Sequence, residues 1–174
     1  MKTVKNRIKG LSEREVKVIA WLEFYEKYFF TSDEISHFFK NKQIMYSAIK
    51  RLMKKDRIIK LNQKKYYLVP IKAKSGGWAE HPFVIADEMF NSEGYYIGGW
   101  SAANYWRLTE QVPMKTAVYT NKRQGRKTIL NTRFIFHRIK KENIKKAVIK
   151  KTGGHSFIIL NKKESEKWLK SRDW

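Results

Sequence analysis

The sequence predicts an α+β chain of two small domains, and three observations carry that expectation. Apolar residues keep helical spacing as far as Met53 and then change to short strand-like runs. The stretch "IKAKSGGWAEHP" at 71–82 places two glycines, a serine and a proline between richly apolar segments, which marks a boundary. Beyond Trp78, helical and strand-like segments alternate. The expected division is 1–75 and 76–174.

In the first half, Ser12 and Glu15 have the spacing of a capping box, which opens a helix running from Val16 toward Tyr28. Thr31 and Glu34 repeat that spacing, with Ile35, Phe38 and Phe39 on one face of a second helix. In a third, Met45, Ala48, Ile49, Leu52 and Met53 form an apolar stripe, and Tyr46, Ser47, Lys50, Arg51 and Lys54 fall opposite it. "RIIKL" and "KYYLV" then read as two strands around "NQK", closed by Pro70. Three short helices and a basic hairpin are the layout of a winged helix-turn-helix.

The second half reads as a small mixed α/β domain. "PFVIADEMF" is an expected helix, "GYYIGGW" a strand, and Ser101 the expected cap of a helix over "AANYWRL". "KTAVYT" and "TRFIFHRI" read as strands. "NKRQGRKTI" between them is an expected loop or hairpin tip carrying Lys122, Arg123, Arg126 and Lys127.

Charge narrows the function classes. Across 174 residues, 38 Lys and Arg stand against 16 Asp and Glu, a net charge of +22. That exceeds the need for solubility and implies a polyanionic partner. Residues 1–75 carry +12 and residues 76–174 carry +10, so both halves are basic. There is no cysteine, which removes disulfides, thiolate zinc sites and cysteine nucleophiles. No apolar run approaches the ~20 residues of a membrane span, and the basic start lacks the apolar stretch of a signal peptide, so a cytoplasmic protein without a membrane partner is expected.

Within the third helix, Gln43, Tyr46, Ser47 and Lys50 are the candidates for base-edge contacts in double-stranded DNA. Lysine can donate to guanine, and glutamine can pair with adenine. Lys42, Arg51, Lys54, Lys55, Arg57, Lys60, Lys64 and Lys65 are candidates for the DNA backbone. Lys122, Arg123, Arg126 and Lys127 form a second basic patch, expected to extend the footprint on the same duplex. RNA as its partner is the alternative.

The segments "LSEREVKVIAWLEFYEKYFFTSDEIS", "IKRLMKKDRIIKLNQKKYYLVPIKA" and "YYIGGWSAANYWRLTEQVP" followed by "TAVYTNKR" resemble AbiEi-type antitoxins, which are also transcriptional regulators of phage-defence systems. The resemblance runs over about residues 11–140, and its most specific part is the tyrosine strand, "WSA" helix and "LTEQVP" succession. It implies a winged-helix repressor of its own operon. It also implies a C-terminal domain that counters a nucleotidyltransferase toxin without a stable complex, the type IV toxin–antitoxin arrangement. "SFIILNKKESEKWLKSRDW" does not match the family's acidic helix, so that domain is expected to be shortened at its end.

No catalytic pattern emerges, and neither an enzyme nor a cofactor is expected. The chain has no phosphate-loop motif and no H-E-x-x-H helix. His37, His81, His137 and His155 are dispersed, so no metal site is expected. Gly153, Gly154 and His155 read as a plain turn. Glu164, Glu166 and Asp173 lie among lysines that can pair with them along a helix. Trp100, Tyr105 and Trp106 read as a helix face buried on a sheet rather than as base-stacking rings. Besides the repressor, three readings stay open: a stand-alone mobile-element repressor without antitoxin activity, an RNA-binding protein shielding tRNA, and a nuclease. Operator sequence and oligomeric state are not legible.

Overall fold

A computed structural model describes residues 10–70, 80–129 and 131–172 of the chain. It is an α+β protein with two sheets, divided into the compact units Met1–Ala79 and Glu80–Trp174. The expected boundary at 75/76 lies in 71–79, outside the described residues.

The first unit opens with α1, Glu13–Phe24. Its capping box is complete. The Glu15 amide donates to the Ser12 hydroxyl at 3.3 Å, and the Ser12 amide donates to the Glu15 carboxylate at 2.8 Å. The helix stops short of the expected Tyr28, because Tyr25 caps it and Glu26 turns left-handed at φ 53°. A strand that the sequence did not suggest follows: β1, Phe29–Thr31.

The second expected helix is instead a 3-10 helix, η1, Asp33–Phe38. Half of its capping box forms, since Glu34 accepts from the Thr31 amide at 2.8 Å. The Thr31 hydroxyl, however, also donates to Glu34 rather than accepting an amide. The residue at the N-cap is Ser32, which makes no side-chain cap bond. Only Ile35 of this segment is fully buried.

Next comes α2, Lys42–Lys54, started by Asn41, whose Oδ1 accepts from the Ile44 amide at 2.9 Å. Its apolar stripe packs inward as expected: Met45, Ala48, Ile49 and Leu52 are buried, and Met53 is partly so. Asp56, left-handed at φ 54°, reverses the chain into β2, Ile58–Lys60, and β3, Lys65–Leu68. All pairings are antiparallel and the order is β1-β3-β2. Val18, Leu22, Phe30, Ile35, Ile49 and Leu68 make the centre of the core, each large side chain contributing ~1.5–3 kcal/mol.

The second unit starts with α3, Pro82–Phe90, with proline in its first turn and His81 Nδ1 accepting from the Phe83 amide at 3.2 Å. There follow β4 (Tyr95–Ile97), α4 (Gly99–Tyr105), β5 (Thr116–Thr120), β6 (Gly125–Ile129) and β7 (Thr132–Arg138). A 3-10 turn at Lys141–Lys146 leads to β8 (Ala147–Thr152), β9 (His155–Leu160) and α5 (Lys162–Lys170). The six-stranded sheet has the order β6-β7-β5-β4-β9-β8, with β5 parallel to β7 and β4 parallel to β9.

Period-two alternation sorts the side chains onto two faces. Tyr95, Ile97, Val118, Phe134, Phe136, Phe157 and Ile159 are buried on one, where Phe90 of α3 stacks on Tyr95 and Phe83 packs at a tilt against Phe157. The other face carries Tyr96, Tyr119, Ile135 and His137. Gly153 and Gly154, at φ +53° and +81°, form the two-residue turn between β8 and β9, as the plain-turn reading expects.

Two expectations are corrected here. Ser101 is not a cap: α4 begins two residues earlier after Gly98, and the Ser101 hydroxyl ties the helix to β5. It donates to the Lys115 carbonyl and accepts from the Ala117 amide. "GRKTI" is not part of a loop tip but the edge strand β6, paired antiparallel with β7. Because β5 and β7 are adjacent and parallel, the segment between them must cross back along the far side of β7.

Candidate nucleic-acid interface

The face of α2 opposite its buried stripe is an exposed array of cations and polar side chains. Lys42, Gln43, Tyr46, Ser47, Lys50 and Lys54 are all exposed, Tyr46 by 45%. The helix spacing that buries Met45, Ile49 and Leu52 sets these residues on the other side. The β2–β3 hairpin brings exposed Lys60 and Lys64 and half-buried Lys65. Its turn is tightened by Asn62, whose Oδ1 accepts from the amides of Lys64 and Lys65 at 3.0 and 2.9 Å.

Three of the backbone candidates stand elsewhere. Arg57 is fully buried, with 0% exposure, and cannot reach a phosphate on the surface. The left-handed Asp56 turns the chain so that the next side chain points inward. The backbone of Arg57 is then locked, its amide donating to the Leu52 carbonyl and its carbonyl accepting from Val69.

Arg51 and Lys55 are held by Glu15. The Arg51 Nε lies 3.0 Å from one carboxylate oxygen and the Lys55 Nζ 2.8 Å from the other. Glu15 itself is buried. Burial alone would raise its pKa, but the Lys55 ammonium, the Ser12 amide and the Arg51 guanidinium overcome this and hold it at about 2. These two cations therefore fasten α2 to the start of α1, and the one carboxylate offsets half of their combined charge. Sequence spacing could not show this, since the partners lie 36 and 40 residues apart.

The second basic patch does not form one cluster. Lys122 reaches back to Glu93 at 3.2 Å, and the Arg123 guanidinium lies over the Phe136 ring at 4.2 Å. Arg126 and Lys127 are neighbours on β6 and so point to opposite faces. Arg126 pairs across from Ile135, and half-buried Lys127 across from Phe134.

The other candidates are settled by packing. Trp106 donates its indole N–H to the Leu160 carbonyl at 2.8 Å, and Tyr105 packs edge-on against Phe157. Trp100, 38% exposed, is different: it meets Trp168 edge to face at a cleft of about 500 Å³ beside β5 and β7. Trp168, Tyr119 and Arg172 of this cleft were not singled out from the sequence, and His137 was weighed there only as a metal ligand. Glu164 pairs with Lys167 at 2.9 Å and Lys146 at 3.1 Å, which lowers its pKa. Asp173 lies outside the described residues.

Among the described residues no group of three or more His, Asp or Glu stands close enough to hold a metal ion. The His155 Nε2 lies 3.4 Å from a carboxylate oxygen of both Asp87 and Glu88. Nor is any helix among the described residues long and apolar enough to cross a membrane. No protein-family model matches the chain, and no curated protein matches it significantly.

Proposed function

We propose that the chain is a sequence-specific double-stranded DNA-binding repressor whose first unit is a winged helix-turn-helix. The observation that carries this reading is the exposed face of α2. Gln43, Tyr46, Ser47 and Lys50 lie on its N-terminal part, followed by Lys54, on a helix whose opposite face is locked into a core. A rigid helix of this width fits a major groove, where such side chains can read base edges. The order helix, strand, 3-10 helix, helix, hairpin supports the winged layout, with Lys60 and Lys64 on the wing for flanking phosphates. Arg51, Lys55 and Arg57 are left out of the contact set, the first two as supports of the reading helix and the third as core.

The resemblance to AbiEi-type antitoxins extends the proposal. The protein represses its own operon in the cytoplasm and counters a nucleotidyltransferase toxin without a stable complex. A nucleotidyltransferase gene immediately beside this one supports that extension, and its absence leaves a stand-alone repressor.

The test is binding of the full chain to duplexes from its own upstream region. Gln43→Ala or Lys50→Ala is expected to cost about 1–3 kcal/mol at the preferred site and to relax the preference at particular base pairs. Equal loss on preferred and random duplex would show that α2 is not the reader.

A further inference from the structure

The second unit carries a feature that duplex binding does not use. Tyr96, Tyr119 and His137 stand directly opposite one another on β4, β5 and β7. Their rings form a stack, 5.2 Å apart at 4° and 4.7 Å apart at 23°. Beside this stack opens the cleft of about 500 Å³, walled by Trp100 at the start of α4, by the Gln111–Lys115 loop, and by Trp168 and Arg172 at the end of α5. Its size is that of a small-molecule site.

The rim is cationic. Lys115 and Arg172 line the opening, and among the described residues no acid does. The Arg172 guanidinium is 5.3 Å from the Trp168 ring. Cross-strand register puts exposed Arg126 opposite Ile135 and exposed Arg133 opposite Thr128, on the same sheet face as the cleft. His137 titrates below its ordinary value through burial and the nearby Arg172 charge, which favours a neutral ring over another cation at neutral pH.

We propose that this cleft takes an unpaired nucleobase of a single-stranded nucleic acid, with the flanking phosphates on Arg172 and Lys115 and, along the sheet, on Arg126 and Arg133. Flat aromatic walls stack any base, and rim cations spaced along one face track a backbone. An apolar ligand would use the walls and leave the rim idle. A duplex keeps its bases stacked and cannot offer one. The assignment does not rest on the duplex-binding face of α2.

The experiment uses the full chain and fluorescein-labelled rU10 and dT10, read by anisotropy. Unlabelled UMP is the free-nucleotide arm. Micromolar or tighter binding of a labelled strand is expected. Trp100→Ala should weaken it about tenfold, the loss of one stacking wall. Arg172→Gln should weaken it and flatten the log–log salt slope by ~0.7. Both variants should bind duplex DNA as the unaltered chain does, so failure here and failure of the repressor reading are separable. Photocrosslinking of the unaltered chain to a strand containing 5-iodouridine should label peptides within 96–119 or 163–172. The proposal is overturned if neither strand binds or if both variants bind them normally. Crosslinks confined to 42–65 or 140–151, or UMP binding as tightly as the strands, would also overturn it.

Discussion

The exposed face of α2 and the ring-lined face of the second sheet are both basic, yet they are built on opposite plans. On α2 the cations stand at helical spacing on a convex surface, over a core that fixes the helix and contributes nothing to contact. On the sheet the cations surround a concavity whose walls are themselves aromatic. A convex charged rod fits a groove, while a charged aromatic recess fits a single planar group. Net charge is nearly equal in the two halves, so charge does not distinguish them; shape does.

The comparison breaks most sharply at Gly98. A Cβ there would lie 2.6 Å from the Tyr119 ring and 3.1 Å from the Tyr96 ring. Tyr119 is already stacked between Tyr96 and His137, so any shift of its ring disturbs both pairs. Gly98→Ala is expected to lose about 3 kcal/mol by urea unfolding, because overpacking forces rings off their rotamers. A loss below about 0.5 kcal/mol would mean that the ring stack is loose.

Arg57 and Lys54 sharpen the distinction between core and contact. Arg57→Ala should cost about 1–3 kcal/mol of stability through lost packing of a buried side chain. Lys54→Ala should leave stability within about 0.5 kcal/mol and weaken duplex binding. Duplex titration beside urea unfolding for both variants checks the assignment, and equal behaviour of the two would refute it.

Glu15 is the next step down. Its folded-state pKa of about 2 lies below the ordinary 4.5, so its contribution is complete above 4.5 and is lost as pH falls toward 2. Screening at exposed Arg51 and half-buried Lys55 limits that contribution to about 2 kcal/mol. Glu15→Gln should remove it at neutral pH and flatten the stability profile between pH 5 and 2. An unchanged profile would show that the two cations are not fastened there.

The smallest effect belongs to the hairpin. Lys64→Ala should weaken preferred and random duplex alike and reduce the salt slope by ~0.9, without altering sequence preference. Selective loss at one sequence would move Lys64 into the reading set.

Much of the first unit was legible because its signals are local. The Ser12–Glu15 box spans one turn, and the stripe from Met45 to Leu52 repeats every three or four residues, so both appear in a short window. The strand Phe29–Thr31 was missed because three residues carry no period. It exists only through its pairing with Lys65–Tyr67. The Thr31–Glu34 spacing suggested an α-helix, but Glu34 is also bound by Lys27, and the segment closes as a 3-10 turn.

From the sequence alone one reads which faces are apolar and that both halves are strongly basic. These follow from neighbours along the chain and from composition. Where the cations stand came from long-range packing. It buried Arg57, matched Arg51 and Lys55 to an acid about forty residues away, and set Arg126 and Lys127 on opposite faces of one edge strand. It also drew Trp100, Tyr119, His137 and Trp168 from two strands and two helices around one cleft. The physical reason is that a side chain's charge and ring are written in its residue type, whereas its partners depend on long-range pairing that no local period encodes.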